Sequence, residues 1–423
     1  MRIAILSYGT RGDVQPLVAI GLALQARGHD VILAAPENHV SFVEKAGLRA
    51  ASLAGDSEVI LNSEEGRRWV QRGDTRSLMG AVVHTFKARG REVEADAEAA
   101  CAGADVIVSG ILAAGVARLF SEVLGVPMVL VHTFPGPPTT AFHNAVVDVP
   151  LGLPGPLRLL VSKAVLKVTW HLLHEIDDEA RRRRGLPLAA EDPIAAQARA
   201  KRPNLCLWSP TLLPKPADWG DATVVTGFCA LPSQSRDGLG EAGRLAELSA
   251  FLDDGEPPLY MGLGSMPLLD PRPVLDRFLK VAEGLQCRVV VGGTFSDPAA
   301  VRASLPSWAR LSGAVDHDAL FARCKAVLHH GGAGSTATSL RAGKATVVCA
   351  VLGDQYFWGR VVDRAGVGAA LPFQKLSDAR LRRTLERAVS DDVTSRARAM
   401  GQRMREEPAG GDVAANAIEA FAA

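Results

Sequence analysis

The densest run of chemically useful residues in the chain is His329-His330-Gly331-Gly332-Ala333-Gly334-Ser335-Thr336. It follows a short apolar run, Ala326 to His329, and precedes a helical pattern from Ala337 to Ala342. Glycines let the backbone come close to an anion, the exposed amides of a helix start point at it, and the helix dipole favours its charge. One histidine can offer a ring N–H, and Ser335 and Thr336 add hydroxyls. The spacing predicts a phosphate loop. The competing assignment is a tight turn in which Ser335 merely caps the next helix.

Two carboxylates stand at comparable places. Asp354 lies between a strand and a helix, where an aspartate frequently only caps, but with Gln355 beside it the pair offers acceptors and donors suited to vicinal hydroxyls. Asp13 follows the first strand, in the turn that opens a helix, and Pro16 close behind is compatible with a plain N-cap. From spacing alone the cap is the better reading of Asp13. His171 and His174, three apart on a helical stretch, have no third ligand at matching spacing and read as polar helix residues rather than a metal site.

These residues need strands and helices to place them, and the pattern supplies both. Arg2 to Ser7 reads as a buried strand, Val14 to Arg27 as a helix, and further strands are expected at Val31–Ala35, Ala104–Ser109 and Pro127–Val131, separated by helix-length segments. A second series starts at Pro258 to Leu263, with a helix over Pro273–Gly284 and strands at Arg288–Val291, Ala326–His329 and Thr346–Val351. Such alternation implies an α/β protein with parallel sheets covered on both faces. With 423 residues, two domains are expected. We place an N-terminal domain over 1–215, a proline- and glycine-rich linker over 216–243, a C-terminal domain over 244–405 and, over 406–423, a helix free to pack back on the first domain. In parallel sheets ligands bind beyond the carboxyl ends of the strands, which is where these candidate residues fall.

Composition narrows the function. Lysine plus arginine, 47, nearly cancels aspartate plus glutamate, 46, so no overall field draws the chain to nucleic acid or to an anionic surface. The six cysteines are far apart, without zinc-like spacing, and read as buried thiols of a cytoplasmic protein. The amino-terminal run is too short and too soon broken by glycine for a signal peptide, and no apolar stretch spans a bilayer. Apolar residues recur at helical intervals from Leu157 to Ile176, followed by Arg181–Arg184. This reads as a helix over an apolar pocket with a solvated basic turn, or alternatively as an interfacial helix, so membrane contact is at most peripheral.

Three stretches together resemble the donor-binding signature of nucleotide-sugar glycosyltransferases with the GT-B fold: Val315-Asp316-His317-Asp318-Ala319-Leu320-Phe321, the glycine-histidine run, and Gly353-Asp354-Gln355-Tyr356-Phe357-Trp358-Gly359. The nearest flavour is that of sterol glucosyltransferases and antibiotic glycosyltransferases. Gly9-Thr10-Arg11-Gly12-Asp13-Val14-Gln15-Pro16 is similar to the same group, so the likeness brackets most of the chain. It implies two Rossmann-like lobes facing each other across a cleft. It further implies that His330 and the amides around Gly332 and Gly334 hold a diphosphate, with Ser335, Thr336 and Ser265 as hydroxyl donors. Asp354 and Gln355 would read the sugar, while Val315 and His317 would border the base. Thr338 and Ala314 depart from the plant pattern, which has an acidic ribose ligand and a stacking tryptophan there, leaving uridine and thymidine diphosphate both open.

The same likeness turns Asp13 from a cap into an acidic general base, with Thr10 beside it; the histidine base of the plant enzymes has no counterpart in this loop. The loop from His132 through Phe134 should border the acceptor, with packing an equal possibility for His132. The expected function is inverting, metal-independent O-transfer of a hexose from a UDP- or dTDP-sugar to a hydrophobic sterol, macrolide or polyketide-like acceptor. No cofactor beyond the sugar nucleotide is implied, and no nucleic-acid partner. Two alternatives stay open, a nucleotide-sugar epimerase on the same scaffold and a non-catalytic sugar-nucleotide binding protein.

Overall fold

The computed structural model describes residues 1–56, 58–146, 152–264, 267, 270–293, 295, 297–313 and 315–422. Its chain divides into two compact units, one made of Met1–Ile60, Met79–Ser235 and Pro408–Ala423, the other of Leu61–Leu78 and Arg236–Glu407. The first holds a sheet of seven parallel strands: β1 (Arg2–Leu6), β2 (Asp30–Pro36), β3 (Arg49–Leu53), β4 (Val106–Gly110), β5 (Met128–His132), β6 (Asn204–Cys206) and β7 (Thr223–Val225), in the order β3-β2-β1-β4-β5-β6-β7. The second holds six: β8 (Leu259–Gly262), β9 (Val289–Gly292), β10 (Ala309–Leu311), β11 (Ala326–His329), β12 (Ala345–Val348) and β13 (Gly368–Ala370), ordered β10-β9-β8-β11-β12-β13.

Both orders contain the same reversal. The chain works outward from β1 to β3, then returns to lay β4 on the other side of β1; β8 and β11 repeat this arrangement. Helices leave opposite faces of the sheet on the two sides of that point, which opens a crevice beyond the carboxyl ends of the paired strands. The loop carrying Asp13 follows β1, and the loop carrying His330 follows β11, so each sits at the switch point of its own sheet. The central strands are closed to solvent: Ile3 to Leu6 in β1 and Ala326 to His329 in β11 are buried throughout. That burial on both faces is why they read as unbroken apolar runs and not as alternation.

The units do not follow the boundaries expected from composition. The stretch 216–243 contains β7, whose Thr223 pairs with Asn204 of β6, and a helix at Ser233–Gly238. Its β-branched Thr-Val-Val triplet forms the strand, and Pro216 and Pro232 fall outside it. The strands β3, β6, β7, β10 and β13 were not among those expected from sequence. Residues 61–78, expected within the first domain, belong to the second unit.

The basic run Arg181–Arg184 is also not a solvated turn. The helix runs unbroken over Gly155–Arg183, and Arg181 is buried against Glu122. Arg183 pairs with Glu94, while Arg184 reaches Glu94 at 2.9 Å and Glu98 at 2.6 Å. Carboxylates on neighbouring helices, remote in sequence, take up the charge. Among the described residues no helix is long and apolar enough to cross a membrane.

The helix Gly410–Ala422 belongs to the first unit, against the helix Arg11–Gln25 that begins with the Asp13 loop. Two kinds of contact hold it. Arg27 meets Glu419 at 2.8 Å, with side chains 25% and 33% exposed, and a pair so open to water is worth under about 1 kcal/mol. Ala414, Ala415 and Ile418 are fully buried, and removing a buried isoleucine side chain costs about 2–5 kcal/mol. The apolar seam therefore dominates. Ile418→Ala should lower the unfolding free energy measured by urea titration by that amount, whereas Arg27→Ala should lower it by less than about 1 kcal/mol.

Candidate active site

In the second unit the turn after β11 is built by exclusion of side chains. Gly331 has φ +98, and a Cβ there would stand 2.5 Å from Val348 Cγ1 and 3.1 Å from the Gln355 carbonyl oxygen. His329 shapes the same turn, its Nδ1 accepting from Gly331 N at 2.9 Å. The helix Ala333–Arg341 then starts at Gly332 with no side chain capping it. Ser335 is thus not the cap that local spacing allowed. Thr336 N donates to Gly332 O at 3.0 Å, while the amides of Ala333, Gly334 and Ser335 find no acceptor among the described residues, the usual state of a helix start awaiting an external partner. Gly334 is exposed, and no atom approaches within 4 Å of the position its Cβ would occupy, so the first turn of the helix is open at that point.

Around that opening the expected residues are placed unequally. Ser335 is half-buried and makes no hydrogen bond to a described residue. Thr336 is buried and its Oγ1 donates to Gly332 O at 3.0 Å, so its hydroxyl serves the helix start rather than facing outward. His330 lies flat between two glycines: a Cβ on Gly264 would be 2.5 Å from its Cε1, and one on Gly332 would be 2.7 Å from its Nε2. Burial, reinforced by the nearby His317, holds the His330 pKa down to about 4. The ring is neutral near pH 7, with one N–H and one lone pair. Ser265 and Ala314 lie outside the described residues, and Thr338 is half-buried in the helix.

The loop before the helix His317–Ala322 is held from below. The Val315 side chain is buried with Tyr260, Leu320 and Phe321, which leaves its backbone as what it can offer a ligand. His317 stacks on Phe321 with ring centres 4.8 Å apart and lies 3.2 Å from Tyr260 Oη. Arg236, only 8% exposed, binds Asp316 at 3.0 Å, Glu241 at 3.4 Å and also Asp318, which Arg341 grips from the other side. Arg236 was not singled out from sequence, since about eighty residues separate it from Asp316 and Asp318 and no local pattern marks it. Further along, Asp354 Oδ2 accepts from Trp358 Nε1 at 3.1 Å. Gln355 is buried and its Oε1 accepts from Val351 N at 2.8 Å and Leu352 N at 3.1 Å, so that oxygen secures the loop on which Asp354 stands.

In the first unit Thr10 is the N-cap of Arg11–Gln25 and Asp13 is the third helical residue, closing a capping box. Thr10 N donates to Asp13 Oδ2 at 2.8 Å and Thr10 Oγ1 lies 3.2 Å from the same oxygen. Oδ1 receives no hydrogen bond from a described residue. Pro16 sits inside the helix, past its first turn. Gly9 has φ +122, and any Cβ there would overlap the Asp13 carboxylate. Burial raises the Asp13 pKa from 3.8 to about 6, against the two hydrogen bonds from Thr10 that lower it. Capping engages Oδ2, so the structural role leaves Oδ1 available. His39, buried and bonded to the Gly9 backbone, supports this turn and was not identified from sequence.

His132 at the end of β5 is fully enclosed. Its Nε2 donates to Asn204 Oδ1 at 2.9 Å, a Cβ on Gly136 would be 2.5 Å from its Nδ1, and burial lowers its pKa to about 4. The structure gives it the packing role. Phe134 is half-buried two residues on, in a loop tied down where Thr139 Oγ1 and Thr140 N donate to Asp218 at 2.6 and 2.7 Å.

Residues 3–143 match the glycosyltransferase family 28 N-terminal domain, and residues 286–420 match the erythromycin biosynthesis protein CIII-like C-terminal domain. A sterol 3-beta-glucosyltransferase of Arabidopsis thaliana is 32% identical over 429 residues, spanning 100% of this chain and 68% of its own. An uncharacterized glycosyltransferase of Mycobacterium tuberculosis is 30% identical, covering 99% of this chain and 98% of its own. Among solved structures, the glycotransferase of kitacinnamycin has a TM-score of 0.71 at 18% identity, with 99% and 98% of the two chains covered. The glycosyltransferase VinC in complex with dTDP has a TM-score of 0.65 at 16% identity, with 100% and 99% covered.

A raised carboxyl pKa binds its proton more tightly in the folded than in the unfolded chain, so Asp13 should cause stability to fall as pH rises from about 4 to about 6. In thermal unfolding, Asp13→Asn should therefore gain on the parent between pH 4 and pH 7. Parallel stability curves would show that the carboxyl titrates at its ordinary value.

Proposed function

Because the chain belongs to the glycosyltransferases of the GT-B fold, we propose that it transfers a hexose from a UDP- or dTDP-sugar to a hydroxyl of a hydrophobic small molecule, with inversion at the anomeric carbon. The observation that carries this reading is the open helix start at Ala333, Gly334 and Ser335 behind His330. Three amides without acceptors, at the positive end of a helix dipole, suit a diphosphate and stabilise the charge that grows on it as the sugar–oxygen bond breaks. His330, held neutral, adds a hydrogen bond without a competing charge. Asp354 and Gln355 would bind the sugar hydroxyls, and the Val315–His317 backbone the base.

On the acceptor side, Asp13 Oδ1 takes the proton from the attacking hydroxyl. The acceptor oxygen forms its bond to the anomeric carbon from the face opposite the diphosphate, which departs with the bonding electron pair, so the configuration inverts. Thr10 keeps the second carboxylate oxygen fixed while this happens. A base with a pKa near 6 is ionised at neutral pH yet still basic enough to accept a proton. The amide cradle supplies the charge stabilisation that a divalent ion would otherwise give, so transfer should not require a metal. A hydrophobic acceptor is supported by the sterol 3-beta-glucosyltransferase relative and by the spinosyn rhamnosyltransferase structure complexed with spinosyn aglycone. All six cysteines are free thiols, and five are buried, which suits a reducing, cytoplasmic setting.

Incubation with UDP-glucose or dTDP-glucose and a panel of sterols, macrolides and aromatic polyketides should yield a product heavier by one hexose, read by mass spectrometry and unaffected by EDTA. Asp13→Asn should reduce turnover by about a hundred- to ten-thousandfold, the usual scale of general-base catalysis, while calorimetric affinity for the nucleoside diphosphate survives. In the parent enzyme the rate should climb with pH to a plateau above about 6, as Asp13 loses its proton. A conversion of the sugar nucleotide without any acceptor, or binding with no turnover across the panel, would replace this assignment.

His330→Ala should weaken nucleoside diphosphate binding by about tenfold, the loss of one hydrogen bond in a closed site. Unchanged affinity would remove His330 from the cradle.

A further inference from the structure

Leu61–Leu78 comes from the first half of the sequence but is built into the second unit. Its helix Glu64–Arg72 opens at Ser63, whose Oγ accepts from Gly66 N at 2.9 Å, and stops at Gly73 with φ +69. Val70 on this helix is fully buried. Gly73 meets the rest of the unit at one corner. A Cβ there would overlap Gln374 Nε2 and come within 3.2 Å of the Val351 carbonyl oxygen.

That corner is the root of the Asp354 loop. Gln374 Nε2 donates to Val351 O at 3.1 Å, and Tyr356 Oη lies 2.6 Å from Gln374 Oε1 and 3.1 Å from Val351 O. From the other side Gln355 Oε1 holds Val351 N at 2.8 Å. Both backbone polar atoms of Val351 are therefore engaged, and the turn Leu352-Gly353-Asp354 springs from it. Gln355 is braced independently, its Cβ and carbonyl oxygen each 3.1 Å from where a Gly331 Cβ would stand. The diphosphate cradle hangs from β11, whereas the Asp354 turn depends on the Gly73–Gln374–Val351 contact.

We propose that Gly73 and Gln374 form a clasp that positions the Asp354 turn, so that segment 61–78 tunes how the enzyme holds the sugar part of its donor. The clasp rests on the reading of Asp354 as a sugar contact. The atoms nearest to a Gly73 Cβ belong to Gln374 and Val351 and not to the cradle, which makes it a positioning residue. Glycine suits this left-handed position, and a side chain here would drive the Gln374 amide off the Val351 carbonyl and release the turn.

The test compares Gly73→Ala, Gln374→Ala and the double variant with the parent enzyme, measuring KM for the sugar nucleotide, kcat, and the calorimetric Kd of the free nucleoside diphosphate. Each single variant should raise the sugar-nucleotide KM by about tenfold and leave the diphosphate Kd within about twofold. The double variant should be no worse than the more impaired single, because both act through one contact. An unchanged KM, equal weakening of both ligands, or additive singles would overturn the clasp. Gln374 is exposed, so Gln374→Ala decides the matter if Gly73→Ala fails to accumulate folded. Asp354→Ala separates the two ideas. If it raises KM and neither clasp variant does, only the clasp falls; if it leaves KM unchanged, the reading of Asp354 falls.

Discussion

A parallel strand that hands its chain to a helix must turn within a few residues, and at two such turns in this protein there is no room for a side chain. Gly9 and Gly331 both have left-handed backbones, and at each a Cβ would strike a neighbour, the Asp13 carboxylate in one case and Val348 in the other. The first turn lets a carboxylate lean on the backbone, and the second brings a row of unpartnered amides to an open face. Both follow from sheet order, because they lie where the strand sequence reverses. Site chemistry and topology are therefore one constraint expressed twice in a single chain.

The turns were legible because their grammar is local. A buried strand, a glycine-bearing loop and a helix follow one another within about twenty residues, and each leaves its own period or composition in the sequence. What stayed hidden depends on residues far apart. Nothing near Arg236 announces Asp316 and Asp318, nothing in Arg181–Arg184 announces Glu94 and Glu122, and His132 could not be told from a ligand contact until Asn204 was seen beside it. Thr336 is a subtler case. Its position suggested a phosphate contact, but a threonine hydroxyl in a helix can bond backward to a carbonyl, and here it does.

Three histidines illustrate how burial sets chemistry. His132 and His330 are each held near a pKa of 4, and His329 well below its ordinary value, in every case chiefly by loss of solvent. None of them brings positive charge to its loop at neutral pH. An anion held at the end of β11 would then meet backbone dipoles rather than a charged ring, and the strength of those dipoles does not change across the physiological range. The carboxylate of Asp13, on the other sheet, has its pKa raised by burial to about 6 and does titrate near that range. In the proposed reaction, recognition and proton transfer would fall to groups that respond differently to acidity.

The return of the helix Gly410–Ala422 to the first unit has a consequence for biogenesis. Every residue of the second sheet precedes it in the chain, so a ribosome has already made the whole of that sheet before the last apolar seam of the first unit can close over Ala414, Ala415 and Ile418. The lobe translated first is completed last, and during synthesis the helix bearing Asp13 must wait with one face uncovered.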